Sequence, residues 1–497
     1  MNNDIKSPKI PTLVSGFLTD AESKTDNLIA DVWNHAKLSQ LIKKSGFKKR
    51  SGLPIEQVLY LLIIWVWLKA DSIAMFSKTM MESFGAKNKD VLYDQLKRED
   101  LNWRKLHYQV VKKTLVKTQS VKSQVKAYIV DDSVKVRKGN KLEGVSRHFD
   151  HLLGRTVKGQ QVLTLGYAID DEFFVLDNDI YMSQVQRHSL KQPFKDARSI
   201  VGKRYSETQS KTKPELLASM VKRAMNYQVE AEYLLADAWF GNKSTIALAH
   251  DVNSVPVLRM KNNKTKYRYY FNRQGKRIYK DMTASELHHL LVRKYWKGSS
   301  ETPYQTVSVQ VELNLASTKT EPDNWVKAQL LFVRGVAQQD EKPTVGKKDW
   351  ALFLTTDCSL SAQALLELYS LRWGIEVYFK EAKQHLGWLT EQTETFAAHI
   401  ASLHLCAIRY TLLIYAKIEN GWRYSDARQN ASEQLTLLSY AKQMWCVFRF
   451  IIQQSLNEII DDLGVKTEKI LATIDNNILR FFTQALQLDH HTLALET

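Results

Sequence analysis

Two short apolar runs in this chain each stop on aspartate. They are "VKAYIVDDSVKV", with Asp131 and Asp132, and "AEYLLADAWFGNKS", with Asp237. Runs this short, rich in β-branched and aromatic residues and bounded by polar ones, read as strands. Between them "QQVLTLGYAID" and "EFFVLDNDIYM" flank the turn-like "DDE", and "PELLASMVKRAMNYQ" (214–228) has helical spacing; "SVPVLRM" follows as one more strand. Three strands, a helix and a fourth strand predict an α/β layer, with acids at strand ends where open sheets place their sites.

The rest of the chain is organised around this layer. Residues 1–122 have helix-like apolar spacing, interrupted by the basic knot "GFKKRSG" (46–52). A small helical domain with exposed cations serves equally well for binding DNA or for packing, and this segment leaves both open. The α/β core occupies 123–259 and resumes at 351–395. In between, 260–350 reads as a β-rich insertion: "KNNKTKYRYYFNRQGKRIYK" interleaves cations with aromatics, and "TVSVQVELNL" and "WVKAQLLFVRGV" read as antiparallel strands. Residues 396–497 are helical by spacing and are a candidate for dimerisation.

Charge narrows the partner. The chain has 70 Lys+Arg against 53 Asp+Glu, a net +17 over 497 residues, which suits a polyanion, nucleic acid before membrane. The longest apolar run, "VLYLLIIWVWL" (Val58 to Leu68), is too short for a bilayer and reads as a buried helix. The start lacks the apolar segment of a signal peptide. Cys358, Cys406 and Cys446 are widely separated, against a disulfide framework or a zinc site. A reducing cytoplasm is the expected compartment, and no membrane partner is expected.

One helical stretch carries unusual chemistry. In "YSLRWGIEVYFKEAK" (369–383), Tyr369, Arg372, Glu376 and Lys383 fall within a sector of about 60° at helical pitch. Alone this is a solvated charged stripe. Beside two strand-end aspartates it becomes the third carboxylate of a phosphoryl-transfer site. Mg²⁺ is hard and binds through a few carboxylates plus substrate phosphates. Two such ions can activate water or a 3′-hydroxyl and stabilise the leaving oxygen. Either Asp131 or Asp132 can be the strand ligand, since neighbouring strand residues point to opposite faces; Ser133, after the second, can cap the turn. Lys380, one turn from Glu376, is set to make an i,i+4 pair.

The Y-x2-R-x3-E-x6-K spacing of Tyr369, Arg372, Glu376 and Lys383 resembles the YREK signature of the insertion-sequence-four family of DDE transposases, which includes the Tn-five type. "YIVDDS" resembles that family's first-aspartate strand, where the acid precedes Ser or Thr, which favours Asp132. "LLADAWFG" resembles the second, giving Asp237. The resemblance runs from about 125 to 390. It implies an RNase H-like catalytic core in which Asp132, Asp237 and Glu376 hold two Mg²⁺, with Mn²⁺ as a substitute. It further implies cut-and-paste transposition: nicking at transposon ends, a hairpin made by the freed 3′-hydroxyl, reopening by water, and attack on target DNA.

By the same resemblance Tyr369, Arg372 and Lys383 contact DNA near the scissile phosphate. Trp350, in "KKDWALFLTTD", supports a flipped base, with Trp325 and Trp296 less well placed. The partners implied are double-stranded DNA, as terminal inverted repeats and as target, and a second copy of the chain in a synaptic homodimer. Two other readings stand beside this one. One is an RNase H-like metal-dependent nuclease without strand transfer; the other is a non-catalytic DNA-binding derivative, against which the presence of all three acids argues.

Overall fold

The computed structural model describes residues 27–460, apart from 69, 87, 119–124, 139–140, 151–153, 184–189, 191–192, 296–303, 317, 319 and 336–349. The outer ends of both flanking regions, parts of the insertion and Trp296 therefore lie outside the described residues. The chain divides into two units, one of Glu99–Gln384 with Glu394–Ala407, the other of the chain up to Arg98, His385–Thr393 and the chain from Ile408.

The first unit is built on one continuous mixed sheet. Its central strand is β1 (Lys126–Val136), which pairs antiparallel with β3 (Arg155–Ile169) and parallel with β5 (Tyr233–Ala236). A short β2 (Ser146–Asp150) and the long β4 (Glu172–Tyr181) both pair with β3, and β6 (Val255–Met260) lies parallel to β5. The core order is β4-β3-β1-β5-β6, three antiparallel strands followed by two parallel ones reached through helical crossovers. This is an RNase H-like core, and it agrees with the α/β expectation. The strand run predicted to stop at the aspartates continues through them to Val136.

The β-rich insertion extends this sheet. β11 (Trp350–Thr355) pairs antiparallel with β6, and the sheet continues through β10 (Trp325–Gly335), β9 (Tyr304–Asn314), β7 (Lys266–Arg273) and β8 (Lys276–Thr283). The edge of β6 is thereby paired, which removes an exposed row of backbone groups.

Helices cover the sheet. α1 (Trp103–Thr118), placed by pattern in the N-terminal helical region, belongs to this unit. With α2 (Ile200–Ser210) and α3 (Lys213–Asn226) it is fixed to β4 by a buried ion network. Arg104 of α1, Arg204 of α2 and Arg223 of α3 converge on Asp177 and Asp179, at 2.7–2.8 Å. Both carboxyls are fully buried. Burial alone would push them up, but the three guanidinium groups hold both below the usual range.

The second unit is helical. The apolar run expected as a buried helix forms Ile55–Ile64 with a 3₁₀ turn Trp65–Trp67, and nearly all of it is buried. Its last carbonyls are satisfied by fully buried Arg409, which donates to Leu62 and to Ile63 (3.0 Å), and also to Leu386 (2.8 Å). Phe396–Asn420 is long and apolar enough to cross a membrane, but that apolar stretch is buried within the protein.

Candidate active site

The register of two strands decides which aspartates meet. β1 and β5 run parallel with Val130 opposite Ala236. Asp131 and Asp237 each follow directly on that last pair, and the charge of Asp237 acts on the Asp131 carboxyl. Asp237 leaves the end of β5 and folds the following turn around itself, its Oδ1 accepting from the backbone N–H of Trp239 at 2.9 Å and of Phe240 at 3.3 Å.

The pairing has an electrostatic signature. The Asp131 carboxyl is pushed up to about 7, first by burial and then by the charge of Asp237, while Arg372 pulls it partly back. Arg372 Nη1 donates to Asp131 Oδ2 at 3.0 Å, and its Nη2 donates to Glu376 Oε1. Asp131, Asp237, Arg372 and Glu376 thus form one charged cluster.

Asp132, the residue preferred from the sequence, is engaged by different partners. Its Oδ2 accepts from Lys213 Nζ at 2.7 Å and its Oδ1 from Gln161 Nε2 at 2.7 Å. Of the two acids left open by the sequence, Asp131 is the one whose carboxyl feels the charge of Asp237, while Asp132 is engaged by Lys213 and Gln161. Lys213 is placed by the N-terminus of α3, where Thr212 and Glu215 form a capping box.

The signature stretch is two helices, where one was expected. α4 (Ala362–Ser370) ends before Arg372, and α5 (Trp373–His385) starts after it, joined by a tight turn of i→i+3 bonds through Leu371 and Arg372. Tyr369 closes the first helix, half-buried edge-on against Phe353 with ring centroids 4.8 Å apart. Glu376 and Lys383 lie on the second, whose Ile375, Tyr378, Phe379 and Ala382 are buried. The turn leaves the Arg372 guanidinium between Asp131 and Glu376. Glu376 therefore pairs with Arg372, one turn back, where a pair with Lys380 was expected.

A cleft of about 740 Å³ opens on the aspartates of this cluster, lined by Asp131, Asp132 and Asp237 together with Lys213, Trp239 and Lys383, while Arg372 and Glu376 stand outside its lining. Lys383 is exposed at its rim. Trp350 is elsewhere in its packing: its ring stacks on His288, 4.4 Å between centroids and 14° between planes, and meets Phe332 edge-on at 5.3 Å.

Among the described residues no three His, Cys, Asp or Glu side chains stand close enough to hold a metal ion. The donor chemistry nevertheless fits a hard divalent cation. The neighbouring carboxylates of Asp131 and Asp237 crowd like charge into a half-buried place, which a cation relieves, and carboxylate oxygens are the donors that a hard ion prefers. Lys213 and Trp239 were not singled out from the sequence. The signals that could have found them are the Thr-Lys-Pro-Glu cap at 212–215 and an aromatic two residues after Asp237.

Comparison with known proteins gives two family matches. Residues 71–294 match "DDE superfamily endonuclease" and residues 199–412 match "Transposase DDE domain". No curated protein matches the chain. Among solved structures, a cryo-EM structure of a piggyBac transposase synaptic complex with hairpin DNA is similar at a TM-score of 0.39 and 12% identity, covering 94% of this chain and 85% of that one.

Proposed function

We propose that this chain, which carries a DDE-type transposase domain, is a cut-and-paste DNA transposase that cleaves transposon ends and joins them to target DNA. The observation that carries the reading is the pairing of Asp131 with Asp237 beside one cleft, with Asp131 linked by Arg372 to Glu376. Asp131 and Asp237 would hold the divalent metal, Mg²⁺ as a pair of ions with Mn²⁺ as a substitute, and Glu376 would complete the set on release from Arg372. Bound there, it would supply activation of the attacking oxygen and neutralisation of the leaving one.

The chain's own residues supply positioning and charge. Arg372, with five N–H donors in a rigid fork, bridges Asp131 and Glu376 and is suited to grip a scissile phosphate beside them. Lys383 at the rim neutralises a neighbouring phosphate, and the net charge of +17 draws DNA to the protein. Each step is a displacement at a phosphodiester, so one site serves nicking, hairpin formation, hairpin opening and strand transfer. Joining two ends calls for a homodimer. The YREK spacing supports the insertion-sequence-four assignment, and a nucleoid-associated, cytoplasmic location follows from that reading.

The test is Mg²⁺-dependent cleavage of linear DNA bearing the gene's own flanking sequences, resolved on a denaturing gel. Wild type is expected to nick and then give a hairpin-length product. Asp131→Asn and Glu376→Gln should bind DNA but lose cleavage by about 1000-fold or more, several kcal/mol of transition-state stabilisation. Asp132→Asn should cut far better than Asp131→Asn. Cleavage indifferent to the flanking sequence would point to a simple nuclease, and binding without cleavage in wild type to a DNA-binding derivative.

A further inference from the structure

The cleft has a second wall that the cleavage chemistry does not use. Trp239 stands on it, 38% exposed although it is a large aromatic. One side of its ring is covered by Lys213 Nζ, 4.1 Å from the centroid, and Phe240 meets it edge-on at 4.7 Å and 68°. Lys213 is in turn buried and held by Asp132 at 2.7 Å. At the other end, the Trp239 backbone N–H is held by Asp237 at 2.9 Å. Trp239 is therefore held at its backbone by Asp237 and on one ring face by Lys213, which Asp132 anchors, while more than a third of the residue stays exposed.

A rigid, half-open aromatic surface is suited to receive a flat ring. Base stacking on such a surface is sequence-tolerant, because every base has a π-face. The cations for the adjoining backbone are in the same cleft: Arg147 and Lys383 line it with Trp239. A stacked base must first leave its own duplex, which is least costly where the strand is already unpaired. Trp350, by contrast, is engaged with His288 and Phe332 within the extended sheet.

We propose that Trp239 is the stacking platform for an unpaired base next to the scissile phosphate, and that Asp132 is a positioning residue which fixes this platform through Lys213. The cleft then selects DNA that is frayed or mismatched at the cut. This inference rests on the transposase reading above.

The experiment uses the full chain and the flanking-end duplex with 2-aminopurine beside the cut, in metal-free buffer so that binding is read without cleavage. Wild type is expected to change the probe's fluorescence at one position through unstacking from its neighbours and restacking on the indole. Trp239→Ala should bind the duplex and lose this change, whereas Trp239→Phe should keep it. In Mg²⁺, wild type should cut a duplex mismatched at the site roughly tenfold faster than the paired one, in keeping with one base–aromatic stack. Trp239→Ala should lose that preference, and Asp132→Asn should lose part of it while still cutting. Unchanged fluorescence and mismatch preference in Trp239→Ala would overturn the inference and leave the transposase reading intact. Failure of wild type to bind the duplex would overturn both.

Discussion

Arg372 donates to Asp131 at 3.0 Å with one terminal nitrogen and to Glu376 with the other, joining acids from a strand and a helix 245 positions apart in the chain (376 − 131). The join depends on shape as well as charge. A planar guanidinium reaches two carboxylates at once, while an ammonium is a point charge on a flexible stem. Arg372→Lys is therefore expected to lose most of what Arg372→Ala loses, about 100-fold in single-turnover cleavage, or roughly 3 kcal/mol. A lysine variant within a few-fold of wild type would show that only charge is needed there.

A second relationship sets the acid limit of the fold. Arg204 Nη1 lies 2.7 Å from His404 Nε2, and His404 Nδ1 lies 3.2 Å from His107 Nδ1. A guanidinium only donates, so His404 accepts on Nε2, carries its proton on Nδ1 and donates to His107. Both rings are neutral. Burial, chiefly, lowers His107 to about 4 and holds His404 well below the usual imidazole range. Because these folded-state values lie below the unfolded one, stability is full above about pH 6.5 and is lost as pH falls toward 4, where the unfolded chain takes up protons first. His107 alone accounts for roughly 2 kcal/mol between pH 7 and pH 5. Asp177 and Asp179, held low, add their own loss only below about pH 4. Denaturant midpoints measured from pH 8 to 5 should fall for wild type and fall less steeply for His404→Gln.

The strands and their acids were legible because local pattern determines them. "YIVDD" and "LLAD" carry their own apolar runs, and the helix of 214–228 its own cap. What escaped was non-local. Asp131 and Asp132 are indistinguishable until β1 is set against β5, since one step in register exchanges the faces. The break at Arg372 was hidden because the apolar spacing of Leu365, Ile375, Tyr378 and Ala382 runs across it. The acids of "EFFVLDNDIYM" gave no sign that they are fully buried, because their arginines come from three separate helices. The union of insertion and core rests on one antiparallel edge, β6 with β11, which no local period reports.

Trp350 tests how far the resemblance carries. With His288 stacked on it and Phe332 against its edge, its visible work is to join β11, β10 and the helix Ala284–Tyr295. Trp350→Ala is expected to lower stability by about 2 kcal/mol, less than for a fully buried aromatic because the residue is half-exposed. Cleavage per folded molecule should stay within about threefold of wild type, well under the cost of losing a base–aromatic stack. A large fall in cleavage with unchanged stability would return the base-support role to Trp350.

Gly374 gives the sharpest test of how the third acid is aimed. It sits in the first turn of α5, two residues before Glu376, and a Cβ there would lie 2.9 Å from three carbons of Phe173 on β4. Phe173 is itself buried and has little room to retreat. Alanine should favour the helix intrinsically by about 1 kcal/mol, so a propensity argument predicts a neutral or stabilising change. The clash predicts the reverse: α5 is pushed off the sheet and carries Glu376 away from Arg372 and Asp131. Gly374→Ala is expected to lower cleavage by roughly tenfold or more, since small displacements of a positioned group are costly. Phe173→Leu should restore part of it in the double variant, although alone it leaves a small void. Rates and thermal midpoints for the two single variants and the double variant close the cycle. If Gly374→Ala cuts like wild type, close packing on Phe173 is not what aims Glu376.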